Sequence, residues 1–115
     1  MKFQSLILLL LISLASATMN QATPPDDWTP IKNISDPTVI AIARFAVSEY
    51  NDQNGAKLEF EKLIKGESQL LPRMETQTYR LTLSAKDGSS SNNYDAVVLD
   101  TMSKYSWKLI SFKRV

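Results

Sequence analysis

The stretch DPTVIAIARFAVSEYNDQNG, residues 36–55, decides the fold. Proline is pre-set for the first turn of a helix, where its missing N–H costs nothing. Asp36 precedes Pro37. The residue before a proline avoids helical angles, and an aspartate there can accept an orphan N–H as N-cap. Val39, Ile40, Ala43, Ala46, Val47 and Tyr50 then recur at helical spacing and form one apolar stripe. Asn54-Gly55 can close a hairpin, but the helical pattern running up to it favours a left-handed stop. These signals predict a helix from about Pro37 to about Gln53.

Downstream of the helix the period changes from helical to two. Leu58, Phe60, Lys62 and Ile64 begin a first strand, and residues 79–84 form a second. Lys86 to Asn93 contains Asp87-Gly88 and a serine–asparagine run, and is read as a polar turn region. Residues 94–99 form a third strand and residues 107–112 a fourth. In the last, Trp107, Leu109 and Ser111 are placed on one face and Ile110 and Phe112 on the other. Local strands joined by hairpins favour an antiparallel sheet. One amphipathic helix can cover one face of it, giving a single two-layer α+β domain.

Upstream, residues 18–33 are polar and carry Pro24, Pro25 and Pro30, so an extended arm is expected, tethered by Trp28 and Ile31. Residues 1–17 have the layout of a secretory signal: Lys2, an apolar run from Leu6 to Leu14, then Ala15-Ser16-Ala17. That run is about half of the ~20 residues a transmembrane helix needs. The expected organisation is a signal over 1–17, an arm over 18–27 and a domain over 28–115. The mature protein is then formally neutral and secreted. In that compartment Asn33-Ile34-Ser35 is a glycosylation sequon at Asn33.

Composition excludes much chemistry. Of 115 residues, 43% are apolar and 22% charged, which is a globular balance. The chain has no histidine and no cysteine. It therefore holds no disulfide, no thiolate nucleophile, no Ser-His-Asp triad, and no His- or Cys-ligated metal. A net charge of +1 gives no electrostatic reason to expect nucleic acid. Glu59 and Glu61 are a weak catalytic pair, expected on a solvated strand face. Asp26 and Asp27 sit in an arm, a poor place for pre-organised acid–base work. An enzyme is not expected, nor are a cofactor, a metal, nucleic acid, or a membrane once the signal is removed. A monomer is expected.

Ile42-Ala43-Arg44-Phe45-Ala46-Val47-Ser48-Glu49-Tyr50-Asn51 resembles the signature of the plant cystatins at all ten positions. Trp28-Thr29-Pro30-Ile31 is similar to the start of the family's first strand. Tyr79-Arg80-Leu81, residues 94–98 and Ser111-Phe112-Lys113 resemble its later strands, in family order. The resemblance implies the cystatin fold, an antiparallel sheet wrapped around one long helix. It also implies reversible inhibition of papain-like cysteine proteases. In that family an N-terminal arm and two hairpin loops line up as a wedge, which covers the catalytic cysteine without offering a cleavable bond. Rigid loops that bury apolar anchors lose little entropy on docking.

All three wedge elements depart from the family pattern. Asp26-Asp27 stands where a glycine pair is usual. Gln69-Leu70-Leu71-Pro72-Arg73 stands in place of Gln-x-Val-x-Gly. If that glycine position needs positive φ, Arg73 costs about 1–2 kcal/mol there. The run from Met74 to Thr78 is about three residues longer than usual, so the turn must differ. Met102 and Ser103 stand where the family has Pro-Trp, and Trp107 is read as a packing residue. The resemblance thus assigns the protease contact to Asp26, Asp27, Gln69, Leu70, Leu71, Pro72, Arg73, Met102 and Ser103. The alternative is a non-inhibitory secreted binding module on the same fold, with the polar segment from Gly88 to Asn93 as its contact surface.

Overall fold

A computed structural model describes residues 28–115. The expected signal, the arm and with it Asp26 and Asp27 lie outside the described residues. The elements follow in the order β1 (Thr29–Pro30), α1 (Pro37–Asn54), β2 (Glu59–Leu71), β3 (Thr76–Asp87), β4 (Ser90–Thr101) and β5 (Ser106–Arg114). Short 3-10 turns, Pro72–Met74 and Met102–Lys104, join β2 to β3 and β4 to β5. The strands form one five-stranded sheet in chain order, antiparallel throughout.

The helix has the predicted ends. The Asp36 carboxylate accepts the Thr38 N–H at 2.9 Å, Pro37 occupies the first turn, and Gly55 closes the helix at φ +64°. Its buried face is Val39, Ile42, Ala43, Ala46 and Val47. Ile42 is fully enclosed, whereas Ile40, which the stripe included, is only half-buried. The partner layer is Leu63 of β2, Tyr79, Leu81, Leu83 and Ala85 of β3, and Tyr94, Ala96 and Val98 of β4. Aromatic contacts close the β5 side: Tyr50 stacks on Phe112 at 4.4 Å, Phe112 on Tyr94 at 5.1 Å, and Phe45 meets Trp107 edge-on at 5.6 Å.

Three details of the strands differ from the expectation, each for a physical reason. In β2 the register shifts between Phe60 and Lys62 and again between Leu63 and Lys65. An extra residue on one strand reverses which side chains face the core. Leu63 is therefore buried and the predicted Ile64 is not. In β5 a shift opposite Val97 and Val98 does the same. Leu109 and Phe112 both pack on the core, while Ile110 is exposed. Third, the polar run after Lys86 is not a loop. Asp87 pairs with Ser90 across Gly88-Ser89, with Gly88 at φ +66°, so residues 90–93 are strand. A two-residue turn of this kind asks for a positive-φ glycine and matches the twist of the flanking strands. The contact surface imagined for a binding module at Gly88 to Asn93 is thereby mostly ladder.

The outer face of the sheet satisfies its own polar groups. Arg80 pairs with Glu67, and the Thr82 hydroxyl donates to Asp95 at 2.8 Å. The buried Ser84 hydroxyl donates to Glu61 at 2.6 Å, and Ser91 donates to the same carboxylate at 3.1 Å. The Ser84 bond in particular, with smaller help from Ser91, Lys86 and Lys62, holds the Glu61 carboxyl below its usual range despite some desolvation. Glu61 is thus a structural acceptor at the β2 bulge.

Two joints fix the helix and the chain entry against β2. Asn51 donates to the Leu58 carbonyl at 2.9 Å and accepts the Leu58 N–H at 3.0 Å, imitating a strand partner where the chain leaves the helix. Ile31 donates its N–H to the Gly66 carbonyl at 2.9 Å. A Cβ at Gly66 would lie 2.7 Å from Leu81 Cδ2 and 3.0 Å from Ile31 Cδ1. Leu81 is fully enclosed and has nowhere to move.

Gly66→Ala is therefore expected to destabilise the domain by about 1–3 kcal/mol through overpacking. Asn51→Ala leaves both polar groups of Leu58 without partners and is expected to cost about 1–3 kcal/mol. Urea denaturation midpoints, read at constant m-value, check both.

Candidate functional site

The β3–β4 ladder carries two turns to the same end of the sheet. Its last pair is Thr76 with Thr101, so each strand meets its turn at the same level. The turns are also joined directly: the Met102 N–H donates to the Glu75 carbonyl at 2.9 Å. Each is closed in the same way. Glu75 donates its N–H to the Pro72 carbonyl at 3.1 Å, and Tyr105 donates its N–H to the Met102 carbonyl at 3.3 Å. Glu75 and Tyr105 then take left-handed angles, at φ 54°, ψ 37° and φ 51°, ψ 44°. The two loops form a hydrogen-bonded pair of matching turns.

Exposed apolar side chains gather at this edge, whereas Ile34, Ile110 and Val115 are exposed elsewhere on the described surface. Leu70, Met74, Met102 and Tyr105 are exposed, Met74 at 67% and Tyr105 at 95%. Leu71, Pro72, Arg73 and Met74 line an open hollow of about 620 Å³. A second of about 300 Å³ lies between Asp100, Met102, Tyr105 and Trp107. A third hollow, of about 360 Å³, lies on the outer sheet face beside Ile31 and Gly66. Its charged lining is already paired as Arg80 with Glu67, and Asp95 holds the Thr82 hydroxyl. The apolar loop edge is therefore the better candidate for recognition. Under it, burial and the charges of Asp100 and Asp36 push the Tyr79 phenol up, so Tyr79 stays neutral and serves the core.

The residues singled out from the sequence fall unevenly on this edge. Pro72 and Arg73 lie in the first turn, and Met102 and Ser103 in the second. Gln69, Leu70 and Leu71 are not loop but the end of β2, paired with Thr78, Gln77 and Thr76. The residue at positive φ is Glu75, not Arg73, so the strain foreseen for Arg73 does not arise. The apparent extra length before Tyr79 is taken up by the β3 strand, which starts at Thr76. At the chain entry, Thr29 pairs with Ser68, so β1 read backwards points to the same end. Trp28 is held there by Arg80, whose guanidinium lies 4.3 Å from the ring centre.

Sequence reasoning missed Met74, Glu75, Lys104 and Tyr105. Tyr105 was hidden by the alternation itself. It is in phase with Trp107 and Leu109, which face the core, and only the left-handed backbone turns it outward.

A family model described as "Aspartic acid proteinase inhibitor" (SQAPI) matches residues 31–115. Cysteine proteinase inhibitor 5 of Arabidopsis thaliana is 42% identical over 97 residues, which is 84% of this chain and 74% of that protein. Cysteine proteinase inhibitor 1 of Actinidia chinensis var. chinensis is 38% identical over 88 residues, 76% of this chain and 73% of that protein. Among solved structures, a salivary cystatin of the soft tick Ornithodoros moubata superposes with a TM-score of 0.68 at 14% identity, over 80% of this chain and 99% of that one. At that identity it shows the fold alone. The squash aspartic acid proteinase inhibitor superposes with a TM-score of 0.60 at 29% identity, over 84% of this chain and 99% of that one. With the helix signature, the sheet order and these matches together, the chain belongs to the plant cystatin-like family of proteinase inhibitors, which are not enzymes.

Proposed function

We propose that the protein is a secreted, reversible inhibitor of papain-like cysteine proteases that seats its paired hairpin turns in the protease cleft. The observation that carries this reading is the hydrogen bond from Met102 to Glu75, which makes two exposed apolar turns one rigid edge. A pre-organised edge loses little conformational freedom on docking, so its buried apolar surface appears as affinity. The edge places a proteinaceous surface over the active site and offers no chemistry of its own. Family membership with two cysteine proteinase inhibitors of comparable length points to the same enzyme class. Secretion rests on residues 1–17, and Asn33 is proposed to carry a glycan. It is exposed, and its side-chain oxygen accepts the Ser35 N–H at 3.0 Å within the sequon.

A second reading has its own support. The family model and the squash structure are named for aspartic proteinases. The altered turns, with Arg73 and Lys104 at their tips, also suit an acidic cleft.

Titrating the mature protein, Thr18–Val115, against papain-like and pepsin-like enzymes separates the readings. Competitive inhibition of a papain-like enzyme is expected. Inhibition confined to a pepsin-like enzyme would transfer the proposal to the second class. No inhibition of either by folded protein up to high micromolar would leave the fold as a binding module. For the modification, material from a eukaryotic secretory host should lose mass on N-glycosidase treatment, and Asn33→Gln should abolish the shift.

A further inference from the structure

Four described residues have positive φ, and they divide by location. Gly55 and Gly88 stop the helix and turn the β3–β4 hairpin, with open space where a Cβ would be. Glycine is the default for such angles because it has no Cβ to clash. Glu75 and Tyr105, at the paired turns, carry side chains in the same backbone region. Glycine thus serves where the chain must only turn, and a strained side chain is kept at the candidate contact edge. Strain held at an exposed loop is an indication of use by something outside the fold.

Tyr105 is the sharper case of the two. Its side chain is 95% exposed, more than any other exposed large apolar residue described. An exposed tyrosine contributes almost nothing to the core, and its left-handed backbone is a steric cost, so the fold gains nothing from it. Its base is nevertheless held firmly. Its N–H is bonded to Met102, Met102 is bonded to Glu75, and Ser106 pairs with Thr101 on the other side. The ring therefore projects from a fixed point. Beside it is the hollow of about 300 Å³, walled by Met102, Trp107 and Asp100. Trp107 is itself locked edge-on by Phe45.

We infer that Tyr105 is the aromatic anchor of the second loop, a specificity-determining residue that inserts into the protease cleft. This inference rests on the inhibitor reading. Tyrosine suits the task because it brings large contact area with few rotatable bonds, and centrally placed tyrosines are frequent hot spots. The ring rather than the hydroxyl carries the contact, because Met102 and Trp107 make up most of the adjoining wall, with Asp100 its one charged member. Met102 and Ser103 then shape the turn, and the anchor sits two residues later than the family's motif position.

Three variants of the mature protein test this: Tyr105→Gly, Tyr105→Asn and Tyr105→Phe. Glycine and asparagine tolerate the left-handed region, so both should melt at the wild-type temperature or above it. Against a protease that the wild type inhibits, both should weaken inhibition by at least about thirtyfold, chiefly through faster dissociation. Tyr105→Phe should recover most of the lost affinity. Inhibition by Tyr105→Gly within about twofold of wild type, with melting intact, would overturn the anchor role and leave the inhibitor reading standing. Failure of Tyr105→Phe to recover the affinity, with that variant folded, would overturn the ring contact. A wild-type protein that inhibits no protease would instead overturn the inhibitor reading, and the anchor with it.

Discussion

The closeness with which α1 can lie in the curl of the sheet governs everything else in the molecule. Ala43 and Ala46 on the helix and Ala85 and Ala96 on the sheet are all fully enclosed, as are the larger Ile42, Leu81, Leu83 and Val98. Small side chains on both layers let the backbones approach, and the larger ones fill the space between at the density of a close-packed interior. With no disulfide available, this contact is the main source of stability. It also demands a sheet that bends. The bulges in β2 and beside β5 supply the bend, because an extra residue in one strand increases local twist and re-aims the chain.

The same constraint explains why the loop edge is rigid. The bulges fall on β2 and against β5, while β3 and β4 pair without interruption from Asp87 and Ser90 to Thr76 and Thr101. That unbroken ladder runs through the middle of the sheet. It delivers both turns to one level, and the Met102 to Glu75 bond extends its hydrogen-bonding one step into the loops. Curvature is absorbed at the flanks and order is kept in the middle. The two turns, Pro72 to Glu75 and Met102 to Tyr105, are thereby hydrogen-bonded into one edge, the condition for an interface that loses little entropy on docking.

What could be read from the sequence was whatever depends on local patterning. The helix, its Asp36 cap and its Gly55 stop follow from neighbouring residues alone, and the strict alternation of β3 and β4 follows from a ladder with no bulge. What could not be read depends on long-range pairing. Nothing near Leu63 announces that β2 slips against Ala85 and Ser84, and a single slip moves the apolar set by one residue. The serine–asparagine run from Ser90 to Asn93 reads as loop by composition, yet Gly88-Ser89 needs only two residues to turn and leaves it paired with β3. Of the candidate site, the family resemblance pointed to Pro72-Arg73 and Met102-Ser103, which fall in the two turns. Which residue in each took the left-handed angle was set by hairpin register, and so Arg73 was given a strain that belongs to Glu75.

The energetics of that misplaced strain bear on why the edge exists. Two non-glycine residues in the left-handed region cost about 1–2 kcal/mol each. A domain of this size has on the order of 5–15 kcal/mol in total. The turns therefore consume a substantial share of the stability generated between α1 and the sheet, and they return no buried surface to it: Met74 and Tyr105 face water. A sequence under pressure only to fold would place glycine at both positions, as it does at Gly55 and Gly88. Retaining Glu75 and Tyr105 makes sense if the surplus from the core is spent on holding specific side chains outward. The tight helix–sheet contact and the strained, apolar edge are then two ends of one arrangement, in which the core's stability sustains a shape whose benefit lies in a complex.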